Sequence, residues 1–244
     1  QVKFNKVAEK LSNKFWPGPL TLVLKKNTNS SVSKLACAGL DTLACRVPSN
    51  EVSLKILNYF NGIIAAPSAN ISSKLSSTCK EHVIKNFGKN IFIVDGGLTN
   101  YGIESTVVDV SNNIPRILRP GAIESGSIKK IIPNLITNTK SEKIISSPGQ
   151  LKKHYSPDIP IRLNVKNIKK NEVLLNFGNN KLKSDIKELN LSINSNLEEA
   201  AKNFFRYLHE LDNKKYDGIA VAPISNKGMG IAINDRLKRA SANE

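Results

Sequence analysis

The apolar residues of this chain come in short runs, each closed within a few positions by proline, glycine or asparagine. A bilayer-crossing helix needs roughly 18–20 consecutive apolar residues, so the pattern excludes membrane helices and favours layers of short strands. Strand candidates lie at 20–24, 43–47, 62–66, 91–94, 105–110 and 116–118. Helical spacing is rarer. Phe4, Val7, Ala8, Leu11 and Phe15 share one helical face, and Trp16-Pro17-Gly18-Pro19 cannot continue that helix. Ser49 is expected to cap a helix running through Tyr59. Thr78-Cys79-Lys80-Glu81 has the T-x-x-E form of a capping box, for a helix ending at Gly88. The region up to about Pro133 therefore predicts a mixed α/β domain richer in strands than in helices.

Residues 134–160 are polar and interrupted by Pro148-Gly149, Pro157 and Pro160, which predicts a linker. Beyond it the order changes. A strand at 172–177, a helix capped by Asn196 and Glu199 and running to Leu211, a strand at 218–224 and a helix at 233–242 alternate. Such alternation predicts a parallel sheet covered by helices at 161–244.

Hydrophobic content of 40% and charged content of 23% are those of a soluble globular protein. The opening Gln1-Val2-Lys3-Phe4 has neither an initiator methionine nor a signal pattern and reads as a cut inside a longer protein. Cys37, Cys45 and Cys79 show no C-x-x-C spacing, so a reducing cytoplasm is expected; His82, His154 and His209 form no H-x-x-x-H pair, so no protein-built metal site is expected. A net charge of +16 and a pI near 9.8 suit polyanionic partners, although lysines spread evenly among Asn and Ile also fit a plain compositional bias.

Several hydroxyl and guanidinium groups stand where ligands bind in α/β proteins. Pro67-Ser68-Ala69-Asn70 follows a strand candidate, and Ser72, Ser73, Ser76, Ser77 and Thr78 lead into a helix N-terminus, whose free N–H groups favour phosphate. Ser and Asn in a turn are also ordinary local caps. Arg46 and Arg119 each close a strand candidate and suit bidentate contact with carboxylate or phosphate, although isolated arginines are more often solvated. There is no Walker loop and no G-x-S-x-G elbow, and Gly228-Met229-Gly230 is too short for a dinucleotide fingerprint.

In their joint order, Phe15-Trp16-Pro17-Gly18-Pro19-Leu20-Thr21, Arg46-Val47-Pro48, Ala66-Pro67-Ser68-Ala69-Asn70, Asp95-Gly96-Gly97, Glu104-Ser105-Thr106-Val107-Val108-Asp109 and Leu118-Arg119-Pro120-Gly121-Ala122-Ile123 resemble the YrdC-like threonylcarbamoyl-AMP synthases. His154-Tyr155-Ser156-Pro157 looks like the linker of the long, two-domain members, and residues 230–237 look like the end of their second domain. The resemblance implies a twisted YrdC-like α/β domain at 1–133, a linker over the active site at 134–160 and a small Rossmann-like domain at 161–244. By motif position it assigns Thr42, Ser68, Asn70, Ser76, Arg119 and Tyr155 to ATP. Arg46, the backbone around Ala66, and Ser105 would hold L-threonine, with His154 and Tyr155 as a linker gate.

The implied activity is that of a nucleotidyltransferase, which forms threonylcarbamoyl-AMP and pyrophosphate from L-threonine, bicarbonate and ATP, with Mg²⁺ carried by the nucleotide. Implied partners are a downstream threonylcarbamoyl transferase and tRNA or other RNA, with no membrane. The family's N-terminal segment, with a Lys-x-Arg phosphate motif, has no counterpart in this sequence, so weak nucleotide binding or inactivity is expected of the chain alone. Ser73 and Ser77 replace the family's usual Gly and Pro. Two other readings remain at this point. One is a non-catalytic YrdC-like RNA-binding module, which the charge favours. The other is the YrdC-like part of a hydrogenase-maturation carbamoyltransferase, whose zinc-finger cysteines are missing here.

Overall fold

The structure is a computed structural model and describes residues 1–137 and 154–242. The chain forms two compact units, Gln1–Ala66 with Glu104–Gln150, and Pro67–Ile103 with Leu151–Glu244. No helix among the described residues is long and apolar enough to cross a membrane.

The first unit is built on a four-stranded sheet in the order β2-β1-β3-β4, where β1 is Leu20–Lys25, β2 Thr42–Cys45, β3 Thr106–Asp109 and β4 Arg116–Arg119. β1 runs parallel to β3, and β2 and β4 run antiparallel to them at the two edges. Alternation along β1 sends Leu20, Leu22 and Leu24 to one face, where Ala8 and Leu11 of α1 (Lys6–Phe15) cover them. Ile128 of the short α4 (Ser125–Lys129), with Ile132 and Leu135, completes that core. The opposite face carries the smaller cluster of Val23, Val107 and Leu118. α1 starts where the Asn5 side chain accepts the Ala8 N–H, a local cap that satisfies one orphan donor.

The second unit contains a four-stranded, fully parallel sheet in the order β5-β8-β6-β7, with β5 at Ile161–Arg162, β6 at Glu172–Asn176, β7 at Glu188–Asn190 and β8 at Gly218–Val221. β6 and β8 are buried along their whole length, as central parallel strands are. Beside this sheet lie α5 (Leu197–Leu211), with Phe204, Phe205 and Leu208 buried, and α6 (Gly230–Ala240), with Ile233 and Leu237 buried. This is the expected Rossmann-like layering. Asn196 accepts from the N–H groups of both Glu198 and Glu199, as the sequence predicts.

Several expectations need correction. Residues 62–66 and 91–94 form no strand, and Ile63, Ile64 and Phe92 stand exposed. An apolar run becomes a strand only where another backbone completes its ladder, and among the described residues neither run has one. The helix after Pro48, α2 (Glu51–Phe60), is capped by Asn50 and not Ser49. The capping box at Thr78 does not form. Cys79 is the N-cap of α3 (Lys80–Phe87) and makes no side-chain cap bond, while the Thr78 hydroxyl meets His82 instead. Gly88 does end α3, with a positive φ of 72°. Polar composition at 134–160 predicts no core residues there, yet Leu135, Tyr155 and Ile159 are buried; Pro148-Gly149 lies outside the described residues.

Candidate functional site

In the first unit the strand register gathers polar groups at one end of the sheet. Leu20 pairs with Thr106, so the N-terminal ends of β1 and β3 are neighbours. Because β2 and β4 run the other way, Arg46 just beyond β2 and Arg119 at the close of β4 come to that same end. Thr21 Oγ1 and Ser105 Oγ lie 2.7 Å apart across the row. Arg119 donates from Nε and Nη2 to the Ser105 carbonyl at 3.3 and 3.0 Å, and from Nη2 to the Ser105 hydroxyl at 3.2 Å. Arg46 donates from Nε to the Gly18 carbonyl at 2.9 Å, and the Gly18 N–H donates to the Val47 carbonyl, so the Trp-Pro-Gly-Pro turn and the Arg-Val-Pro segment hold each other.

The loop after Arg119 explains the Arg-Pro-Gly-Ala motif. A Cβ on Gly121 would stand 2.4 Å from the Glu104 carbonyl oxygen and 2.5 Å from backbone atoms of Ser105 and Thr106, so only glycine lets this loop lie on the start of β3. Ala122 N–H donates to the Glu104 carbonyl, and the Thr106 hydroxyl bonds both the carbonyl and the N–H of Ile123. Ser105, 5% exposed, is thereby held from three sides.

Thr42 pairs with Lys25 and so lies at the opposite end of the sheet, about 13 Å along β2 from Arg46 at the usual rise per residue. An open concavity of about 570 Å³ at that far end is lined by Lys25, Asp109, Asn112 and Arg116 among others, and includes none of the residues assigned to ATP or L-threonine by motif position. Ala66 is exposed at the end of its unit.

In the second unit Asn70 folds the hydroxyl-rich segment. Its Nδ2 donates to the carbonyls of Ile71 at 2.9 Å and Lys74 at 3.1 Å, and the Ser77 hydroxyl donates to the Ala69 carbonyl at 2.7 Å. Ser73 takes a φ of 66°, in the left-handed region that favours glycine and is unusual for serine. Ser68 is exposed, and Ser76 is half-buried with its carbonyl 3.1 Å from His209 Nε2.

Tyr155 is 1% exposed, set edge-on to His154, 5.5 Å from the Phe205 ring and beneath the Arg236 guanidinium at 5.6 Å. The Ser156 N–H donates to the Ser73 carbonyl at 2.8 Å, which brings this segment beside the hydroxyl loop. Lys74 pairs with Asp158 there and holds its carboxyl below the ordinary carboxylate range. Among the described residues no group of three or more His, Cys, Asp or Glu side chains is placed to hold a metal ion.

A family model described as telomere recombination, covering the Sua5, YciO and YrdC proteins, matches residues 1–121, and one described as the C-terminal domain of threonylcarbamoyl-AMP synthase matches residues 123–242. The threonylcarbamoyl-AMP synthase of Pyrococcus abyssi is 37% identical over 253 residues, which span 96% of this chain and 73% of that protein. The chain belongs to the threonylcarbamoyl-AMP synthase family. The synthase of Bacillus subtilis is 33% identical over 96% of this chain and 72% of its own length. The crystal structure of Pyrococcus abyssi Sua5 complexed with L-threonine superposes with a TM-score of 0.87 at 34% identity, covering 98% of this chain and 75% of that one.

The two family matches meet near residue 122, but the compact units of this synthase-family chain divide elsewhere, because residues 67–103 pack with the second domain. Thr21 stands in the Phe15–Thr21 motif with no role assigned from sequence, and the pairing of His82 with His209 depends on residues distant in sequence.

Proposed function

We propose that this chain condenses L-threonine, bicarbonate and ATP into threonylcarbamoyl-AMP, with release of pyrophosphate and water. In this reading the threonine amine takes up CO₂ as a carbamate. A carbamate oxygen then forms a bond to the α-phosphorus, and the bond from that phosphorus to the bridging oxygen breaks, its electron pair leaving on pyrophosphate. No side chain needs to become covalently attached. The protein supplies orientation and charge stabilisation, which carry most of the rate in phosphoryl and nucleotidyl transfer.

The observation that carries the reading is the Thr21–Ser105–Arg119 row, an ordered pair of hydroxyls under a guanidinium, in a chain of this family. Arg46, the backbone around Ala66, and Ser105 are assigned to L-threonine. Ser68, Asn70, Ser76, Arg119, Tyr155 and Thr42 are assigned to ATP, with His154 beside Tyr155 as the linker pair; Thr42 has the least geometric support, since it pairs at the far end of the first sheet. Mg²⁺ would enter with the nucleotide, where it would offset phosphate charge. The adenylate is an activated acyl donor, suited to hand its threonylcarbamoyl group to a transferase acting on tRNA, and the net charge of +16 suits RNA in that setting.

The test is pyrophosphate release with each substrate omitted in turn, for the chain itself and for Ser105→Ala. Release that needs threonine and bicarbonate together, falls in the variant and calls for high ATP, in keeping with weak nucleotide binding by the chain alone, is expected. Release that is indifferent to threonine would exclude the reading.

A further inference from the structure

Two histidines not assigned to the reaction lie face to face in the second unit. His82, in the first turn of α3, and His209, in the last turn of α5, stack with ring centroids 3.7 Å apart and an interplanar angle of 24°. Each ring grips the segment that carries Ser76. His209 Nε2 stands 3.1 Å from the Ser76 carbonyl, which can only accept, so that nitrogen carries a proton. His82 Nδ1 lies 3.2 Å from the Thr78 backbone N–H, which can only donate, so that nitrogen carries none. The hydrogen-bond directions therefore fix His82 as neutral, with its proton on Nε2.

We infer that the His82–His209 stack is a positioning device for the Ser76 segment, one that grips while His82 is neutral and releases when it is protonated. A proton on Nδ1 would set N–H against the Thr78 N–H and break that bond, leaving the Thr78 hydroxyl, 3.2 Å away, as the ring's remaining partner on the segment. It would also place positive charge against the neighbouring ring. The charges facing the pair are mixed. Lys85 and Glu81 come from α3, with Lys85 opposing a further positive charge and Glu81 favouring it. From α5 His209 itself faces His82, Lys202 and Arg206 line a small cavity with Thr78, and Asp212 stands at the end of that helix. Asp212 accepts the N–H groups of Asp158 and Ile159, and Asp158 is paired with Lys74.

Burial, then His209, then Lys85 push His82 down from its ordinary 6.5 to about 4, and burial lowers His209 as well. The gripped state thus binds fewer protons than the released one. Its stability is complete above pH 6.5, where a free imidazole is already neutral, and is lost as pH falls from there toward 4. The device rests on the reading of Ser76 as a nucleotide contact, and it predicts that ATP affinity weakens with acidification before catalytic turnover does.

Two measurements test it on the intact chain. The hydrogen-exchange protection factor of the peptide spanning 74–80, taken without ligand against the intrinsic rate at each pH, should fall below pH 6 in the wild type. It should lose that acid step in His82→Asn, whose side-chain oxygen still accepts the Thr78 N–H but does not titrate. KM for ATP in threonine-dependent pyrophosphate release should rise about threefold to tenfold over the same interval with kcat little changed, as the loss of a hydrogen bond implies. His209→Ala should show the raised KM at every pH, and His209→Gln, which retains a donor, should restore it.

A protection factor at 74–80 that is indifferent to pH in the wild type, or an acid step that persists unchanged in His82→Asn, overturns the device. So does a wild-type KM for ATP in His209→Ala. Absence of any threonine-dependent activity would instead sink the proposed reaction, and the exchange measurement then decides the device by itself.

Discussion

Arg119 reaches back fourteen residues to clasp Ser105 twice, at the carbonyl and at the hydroxyl. A charged donor held this way sets the rotamer of the serine and keeps positive charge beside it, so the two residues act as one unit. The antiparallel register of β3 and β4 makes the contact possible, since it returns the end of β4 to the beginning of β3.

Arg119→Met should therefore lower kcat/KM for threonine about tenfold to a hundredfold, the scale of a lost hydrogen bond to a charged group. Arg119→Lys should recover only part of the loss, because an ammonium cannot reproduce the forked contact. Steady-state pyrophosphate release at varied threonine measures both. Equal rates for all three proteins would detach Arg119 from the site.

Gly121→Ala places a methyl group against three backbone atoms at 2.4–2.5 Å, none of which can rotate away. The loop must shift, at a cost of about 1–3 kcal/mol, so the midpoint of thermal unfolding should fall by several degrees. Gly126→Ala is the control. Gly126 lies in α4, where an added methyl group would meet nothing within 4 Å, and alanine there should leave the midpoint unchanged or slightly higher.

The bidentate pair of Arg162 with Glu172, at 2.9 and 2.7 Å, ties β5 to β6 across the intervening β8. Arg162 holds the Glu172 carboxyl below its ordinary 4.5. A depressed carboxylate contributes stability that is present above pH 4.5 and lost as pH falls through the folded-state value. Glu172→Gln should thus melt lower than wild type at pH 7, and the difference should narrow below pH 4.5. A gap that stays constant down to about pH 3 would show that the pair adds nothing to folding.

Asn196→Ala removes an acceptor that serves two N–H groups at the start of α5. A cap of this kind contributes about 1 kcal/mol, so a fall of a few degrees in thermal midpoint is expected, with activity at low temperature retained. Calorimetry showing no shift would mean that solvent replaces the cap without loss.

Local signals account for much of this architecture. The stop at Trp16-Pro17-Gly18-Pro19, the Asn196 cap, the Gly88 terminator and the succession β6, α5, β8, α6 each rest on a few neighbouring residues and appear where expected, whereas the short strands β5 and β7 interrupt the expected alternation. The runs at 62–66 and 91–94 misled because hydrophobicity records a tendency to be buried and says nothing about whether a ladder partner is present. Thr78 misled for a different reason. Its hydroxyl had a choice between the backbone of its own helix and the imidazole of His82 one turn on, and the imidazole, held in place by its stack on His209, won.

By itself, the order of motifs along the chain determined the family, the two kinds of sheet and the residue types available for chemistry, because these depend on composition and spacing. Only the tertiary structure decided that Arg46, Thr21, Ser105 and Arg119 share one sheet end while Thr42 lies at the other, and that the Ser76 segment is gripped by helices of the same compact unit. Strand register and the tautomer of a stacked histidine are set by partners far along the chain, where no local preference can reach.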